Sequence, residues 1–133
     1  MLILSNTIAQ TLSPGQAMTF NLIILKTGNA ECFRLNSGSI GLRCKNAIYE
    51  VSLGADIGAT EEGAAQLAIN LNGSTLNETI MTSQTAAAGD INNVSKRTAI
   101  PTCCCAPEAV TVVNIGTTTV NIDNPLLFVK RVA

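Results

Sequence analysis

A chain of 133 residues has the length of one domain, and its net charge of −1, with eight Lys and Arg scattered from Lys26 to Arg131, supplies no basic stripe for nucleic acid. Charged residues make up only 13% of the chain, about half the usual share, while the apolar fraction of 47% is ordinary. A lone domain with so little charge would leave much neutral or apolar surface in water, so burial between copies in a closed, symmetric oligomer is expected.

From the N-terminus, Met1 to Asn6 shows neither a basic n-region nor an apolar stretch of signal-peptide length. The expectation is cytoplasmic synthesis without a signal peptide, so that the chain would reach the outside only in a particle or by lysis. The longest apolar run, Leu22 to Leu25, is far too short to span a bilayer, so no membrane association is expected.

Short alternating segments rich in Val, Ile and Thr recur between Gly, Asn and Pro clusters, and no long stretch has helical periodicity. The spacing predicts strands over 3–12, 17–25, 31–35 and 39–43. The clearest alternation runs from Ala47 to Ala55, with Tyr49, Val51, Leu53 and Ala55 on one face and Glu50, Ser52 and Gly54 on the other. Gln66 to Leu71 alternates too, meets Asn72-Gly73, and resumes from Ser74 to Met81; both turn residues accept positive φ, which marks a hairpin. Further strands are expected over 94–100, 109–115, 118–122 and 126–132, and loops over Gly54–Gly63 and Thr85–Asn93. About ten short strands without crossover helices predict one antiparallel sandwich over residues 1–133.

Histidine is absent, which removes the commonest general base, the Ser-His and Cys-His pairs and the commonest transition-metal ligand. The nine carboxylates fall mostly at turns or outward strand positions. No catalytic, cofactor-binding or metal-ligating residue is assigned, no cofactor is expected, and the chain is read as a non-enzyme. The five cysteines, Cys32, Cys44 and Cys103-Cys104-Cys105, do not have zinc-site spacing. Their default is a reduced, buried apolar role; a Cys32–Cys44 disulfide across a hairpin, or contact between copies near a symmetry axis, stays open. Asp56 with Glu61 and Glu62 lacks any recognised calcium-loop spacing and reads as a solvated turn. The sequons at Asn72, Asn77 and Asn93 read as chance matches in an Asn- and Thr-rich chain. Phe20, Phe33 and Phe128 fall in predicted strands and are expected in the core, leaving no aromatic platform for a sugar.

The segment Asn6 to Phe20, the stretch Leu67 to Gly73, the triple cysteine before a Val-rich strand, and the closing Leu127 to Ala133 resemble the small jelly-roll proteins of Firmicutes and their phages. These are similar to the C-terminal domain of the collagen-like exosporium glycoprotein BclA and, more distantly, to C1q and tumour necrosis factor domains. The resemblance implies a ten-stranded jelly roll forming a tight homotrimer with an apolar face about the three-fold axis. A collagen Gly-X-Y stalk is missing, which favours a free-standing virion trimer over a spore filament. The expected role is a capsid decoration, head fibre or tail-associated protein that contacts other virion proteins such as the capsid. The alternative is a trimeric module on a phage or spore surface that binds a host receptor or surface glycan.

Overall fold

The computed structural model describes residues 1–27, 33–36, 38–60, 63–85, 91–102 and 108–133. Among them the strands in chain order are β1 Leu2–Ser5, β2 Gln10–Leu12, β3 Leu22–Lys26, β4 Phe33–Asn36, β5 Ser39–Leu42, β6 Ile48–Ala59, β7 Gly63–Leu71, β8 Ser74–Thr75, β9 Met81–Thr85, β10 Ile91–Pro101, β11 Glu108–Asn114 and β12 Val120–Arg131. They form two antiparallel sheets. The first has the order β10-β6-β12-β1-β3, with β2 also on β12; the second has the order β4-β5-β11-β7-β8, with β9 also on β7. No helix among the described residues is long and apolar enough to cross a membrane.

The core lies between the sheets and follows the two-residue period. Tyr49, Val51, Leu53 and Ala55 of β6 are buried, as the alternation predicts, and they meet Leu67, Ile69, Val110 and Val112 in the apolar core. Phe33 packs edge-on against Tyr49 with ring centroids 5.7 Å apart. The Tyr49 hydroxyl accepts the Cys44 backbone N–H at 3.2 Å, so the buried ring keeps a partner for its polar end.

Several boundaries differ from expectation for local reasons. The alternation of β6 runs on to Ala59, with Ala55 and Ile57 inward, so 54–59 is strand and not loop; its small outward residues Gly54 and Gly58 hide the pattern. Likewise, 91–93 belong to β10. The segments 118–122 and 126–132 are largely one strand, β12, continued through a bulge between Asp123 and Leu126. Asn124 takes a φ of 50° there, and Pro125, which cannot donate to a ladder, is tolerated at the bulge. The Asn72-Gly73 hairpin forms with φ of 51° and 85°. Its second arm breaks after Thr75 into a single 3-10 turn at Asn77–Thr79, because the Thr79 hydroxyl takes the Ile69 N–H at 3.0 Å and donates to Leu76 O at 2.7 Å.

Buried polar side chains pin the connections. Asn114 is fully buried, donates to the carbonyls of Leu12 at 3.0 Å and Thr118 at 2.8 Å, and accepts the Gly116 N–H at 3.0 Å. Thr102 donates to Cys44 O at 2.7 Å and accepts the Ala47 N–H at 3.1 Å, tying the end of β10 to the turn before β6. At Gly38 a Cβ would lie 2.5 Å from the Met18 carbonyl oxygen, so only glycine permits that approach. Replacing Asn114 by Ala leaves the Leu12 and Thr118 carbonyls short of donors and is expected to cost about 2–3 kcal/mol. Chemical denaturation checks this: the midpoint falls while the slope stays unchanged.

Candidate functional site: an apolar sheet face

The outward face of the first sheet is where the chain departs from an ordinary surface. All nine exposed large hydrophobic residues among the described ones, Ile8, Leu22, Ile23, Ile24, Leu25, Ile48, Ile91, Phe128 and Val132, lie in its strands or directly beside them. Among the described residues, the exposed positions of the second sheet include the polar Arg34, Asn36, Thr82 and Gln84 and no large hydrophobic residue. Scattered apolar side chains on a surface need no explanation, but their concentration on one sheet and its edge strand does.

Strand register shows how the face is built. Leu25 pairs with Ile3, Ile3 with Phe128, Phe128 with Ser52, and Ser52 with Arg97, giving one row across five strands. The next row runs from Leu22 through Ser5, Leu126 and Gly54 to Ser95. Ser52 and Gly54 make the centre shallow, and nothing lies within 4 Å of where a Gly54 Cβ would stand. An apolar side formed by β3, β1 and β12 thus passes into a floor of small residues, with Arg97 and Ser95 of β10 on its far side. The Arg97–Glu50 pair, 3.4 Å apart and exposed, lies at the β10 side.

Phe128 corrects a sequence expectation. Phe20 and Phe33 are buried as anticipated, but Phe128 is 37% exposed. Leu126-Leu127-Phe128-Val129 is apolar at every position, so its pattern does not say which alternate residues point inward; the structure assigns Leu127 and Val129 to the core.

The bulge in β12 makes one polar cluster on the same face. Asp56 stands opposite Asp123 in the ladder, Asn93 Nδ2 donates to Asp56 Oδ1 at 3.0 Å, and Asn124 Nδ2 donates to Asp56 Oδ2 at 3.4 Å. The Asn93 amide first, and the Asn124 amide second, hold the Asp56 carboxyl below its ordinary value. Asp56 is therefore a strand residue and not part of a solvated turn. Glu61 and Glu62 lie outside the described residues, and among those described no three His, Cys, Asp or Glu side chains gather as a metal site. Cys44 is disulfide-bonded, which replaces the expectation of a reduced thiol at that position. Cys32, Cys103, Cys104 and Cys105 lie outside the described residues.

No protein-family model and no curated protein sequence matches the chain. Solved structures do. The globular domain of zebrafish complement 1qA is similar over 96% of this chain and 94% of its own, with a TM-score of 0.63 at 13% identity. The TNF Eiger of S. frugiperda is similar over 99% and 91%, with a TM-score of 0.74 at 10% identity. The fold is the C1q and tumour necrosis factor jelly roll. The vertex protein P5 of PRD1 shares it, with a TM-score of 0.60 at 10% identity over 99% of this chain and 96% of that one.

Because the folded carboxyl of Asp56 titrates below its ordinary value of 3.8, its hydrogen bonds contribute stability that is present above that value and is lost as pH falls through the lowered one. Replacing Asn93 by Ala removes the stronger donor and is expected to raise the Asp56 midpoint towards 3.8, as read by carboxyl carbon NMR during an acid titration.

Proposed function

We propose that the chain is a non-enzymatic structural protein of a phage virion, a homotrimeric jelly roll that acts as a capsid decoration, head fibre or tail-associated protein. The observation that carries this reading is the concentration of the exposed large hydrophobics on one sheet, along its edge strand β3 and the outward side of β12. A face of that kind is covered in the working form of a protein, and a closed ring of copies covers it with material the chain itself supplies. The resemblance to small Firmicutes and phage jelly rolls and to the BclA C-terminal domain supports three-fold symmetry for that ring. The fold shared with the PRD1 vertex protein supports a place on a virion.

The chemistry of the face favours assembly over turnover. Aliphatic side chains from β3, β1 and β12 supply dry contact area, and Ser52 and Gly54 let facing backbones approach without unpaired polar groups. The edge strand β3 is apolar along most of its length, and a lone subunit would present it as a template for irregular pairing. Closure of a trimer over it removes that hazard.

Sedimentation of the purified chain at micromolar concentration is expected to give three times its 13.8 kDa mass. Replacing Phe128 by Asp, at an exposed position outside the core, is expected to yield folded single chains. A wild-type species of single-chain mass would end the proposal. For the virion role, mass spectrometry of purified particles is expected to find the chain in fixed ratio to the capsid protein, and its absence from particles would count against that role.

A further inference from the structure

The hairpin turn after β7 joins a reactive sequence to a restraint. Asn72-Gly73 is the one Asn-Gly pair in the chain, and Asn72, Gly73 and Ser74 are all exposed, so water reaches the turn. In such a pair the main-chain nitrogen readily attacks the preceding carboxamide, because glycine has no Cβ to crowd the approach. Gly73 N forms a bond to Asn72 Cγ, the Cγ–Nδ2 bond breaks, and ammonia leaves with the Gly73 amide proton. Water then opens the five-membered imide. Cleavage of its bond to Cγ gives aspartate, and cleavage of its bond to the Asn72 main-chain carbonyl carbon gives isoaspartate.

The fold restrains both partners of that attack. The φ values of 51° at Asn72 and 85° at Gly73 are those of a type I′ turn, and the ladder holds it with Leu71 opposite Ser74 and Asn70 opposite Thr75. Closing the imide ring requires the main chain to rotate about ψ of Asn72, out of that turn. The side chain is tied down as well: Asn72 Oδ1 accepts the Ala109 N–H at 2.8 Å, and the Asn72 N–H donates to the Ala109 carbonyl at 2.8 Å. Leu71 pairs with Val110, so Asn72 extends the β7–β11 ladder by a further step with its own carboxamide. A hydrogen bond to Oδ1 also draws electrons from Cγ, so the protection is geometric.

We propose that Asn72 is a deamidation site that the fold keeps closed, with the type I′ turn and the Ala109 clamp setting its rate, so that the native chain converts only when this end of the hairpin opens. Conversion to isoaspartate is not neutral. It lengthens the main chain by the Cβ, which a two-residue turn does not accommodate, and displaces Ser74 and Thr75 from their partners in β7. The site goes beyond the structural role proposed above, and every group in it belongs to a single chain.

The test ages the purified full chain in mildly alkaline buffer, once folded and once in guanidinium chloride, and follows the peptide containing Asn72 by mass spectrometry, with isoaspartate read by enzymatic methylation. The folded chain is expected to convert more slowly by about tenfold or more, since only the locally opened fraction reacts. Ala109→Pro removes the N–H that Asn72 Oδ1 accepts and keeps the carbonyl. It is expected to raise the folded rate about fivefold, the worth of a single net hydrogen bond, without altering the rate in guanidinium chloride. Phe128→Asp, altered on the other sheet, is expected to convert at the folded wild-type rate. Equal rates with and without denaturant, a wild-type rate in folded Ala109→Pro, or a denatured-chain rate in folded Phe128→Asp would each overturn the proposal. The first comparison needs no variant, so it decides even where Ala109→Pro does not fold. The last separates this site from the trimer, because loss of assembly leaves the clamp intact.

Discussion

The sheet that contains β6 and β12 has an apolar inner face covered by its own chain and an outer face whose β3, β1 and β12 side also carries exposed apolar side chains. Leu2, Leu4, Tyr49, Val51, Leu53, Leu127 and Val129 point into the sandwich and close the core. Between them, on the same strands, Ile3, Leu126 and Phe128 point outward beside the exposed edge strand β3. Each Å² of apolar surface left in water costs about 25 cal/mol, and the cost scales with the patch, so a contiguous face drives association where isolated residues would not. The opposite sheet, with arginines and short polar side chains outward, has no such need.

Legibility of the fold followed the chemistry of each segment. Where apolar and polar residues alternate, as from Ile48 to Ala55, strand and facing were both readable, and Asn72-Gly73 announced its turn through the need for positive φ. Runs without contrast were readable as strand but not as to facing. Leu22 to Leu25 and Leu126 to Val129 are apolar throughout, so the sequence does not tell which alternate members meet water, and the exposure of Phe128 was invisible. The stretch from Gly54 to Ala59 failed in the opposite sense, because small residues and one Asp mimic a loop although Ala55 and Ile57 keep the inward period.

The outer face of the first sheet combines an apolar side along β3, β1 and β12 with small residues at its centre and polar groups that pair within it, Asp56 with Asn93 and Asn124, and Arg97 with Glu50. The bulge in β12 shapes this face. It re-aims Asn124 towards Asp56, while the Ser5 hydroxyl donates to the Pro125 carbonyl at 2.7 Å and holds the kink against β1.

Photo-crosslinking reads the covered face most directly. With the photoreactive analogue benzoylphenylalanine in place of Phe128, a near match in shape, illumination of the purified chain should join copies into covalent dimers and trimers, while the same group in place of Gln84 on the opposite sheet should leave single chains. Crosslinking at position 84 but not at 128, or at neither, would mean that the apolar face is not where copies meet.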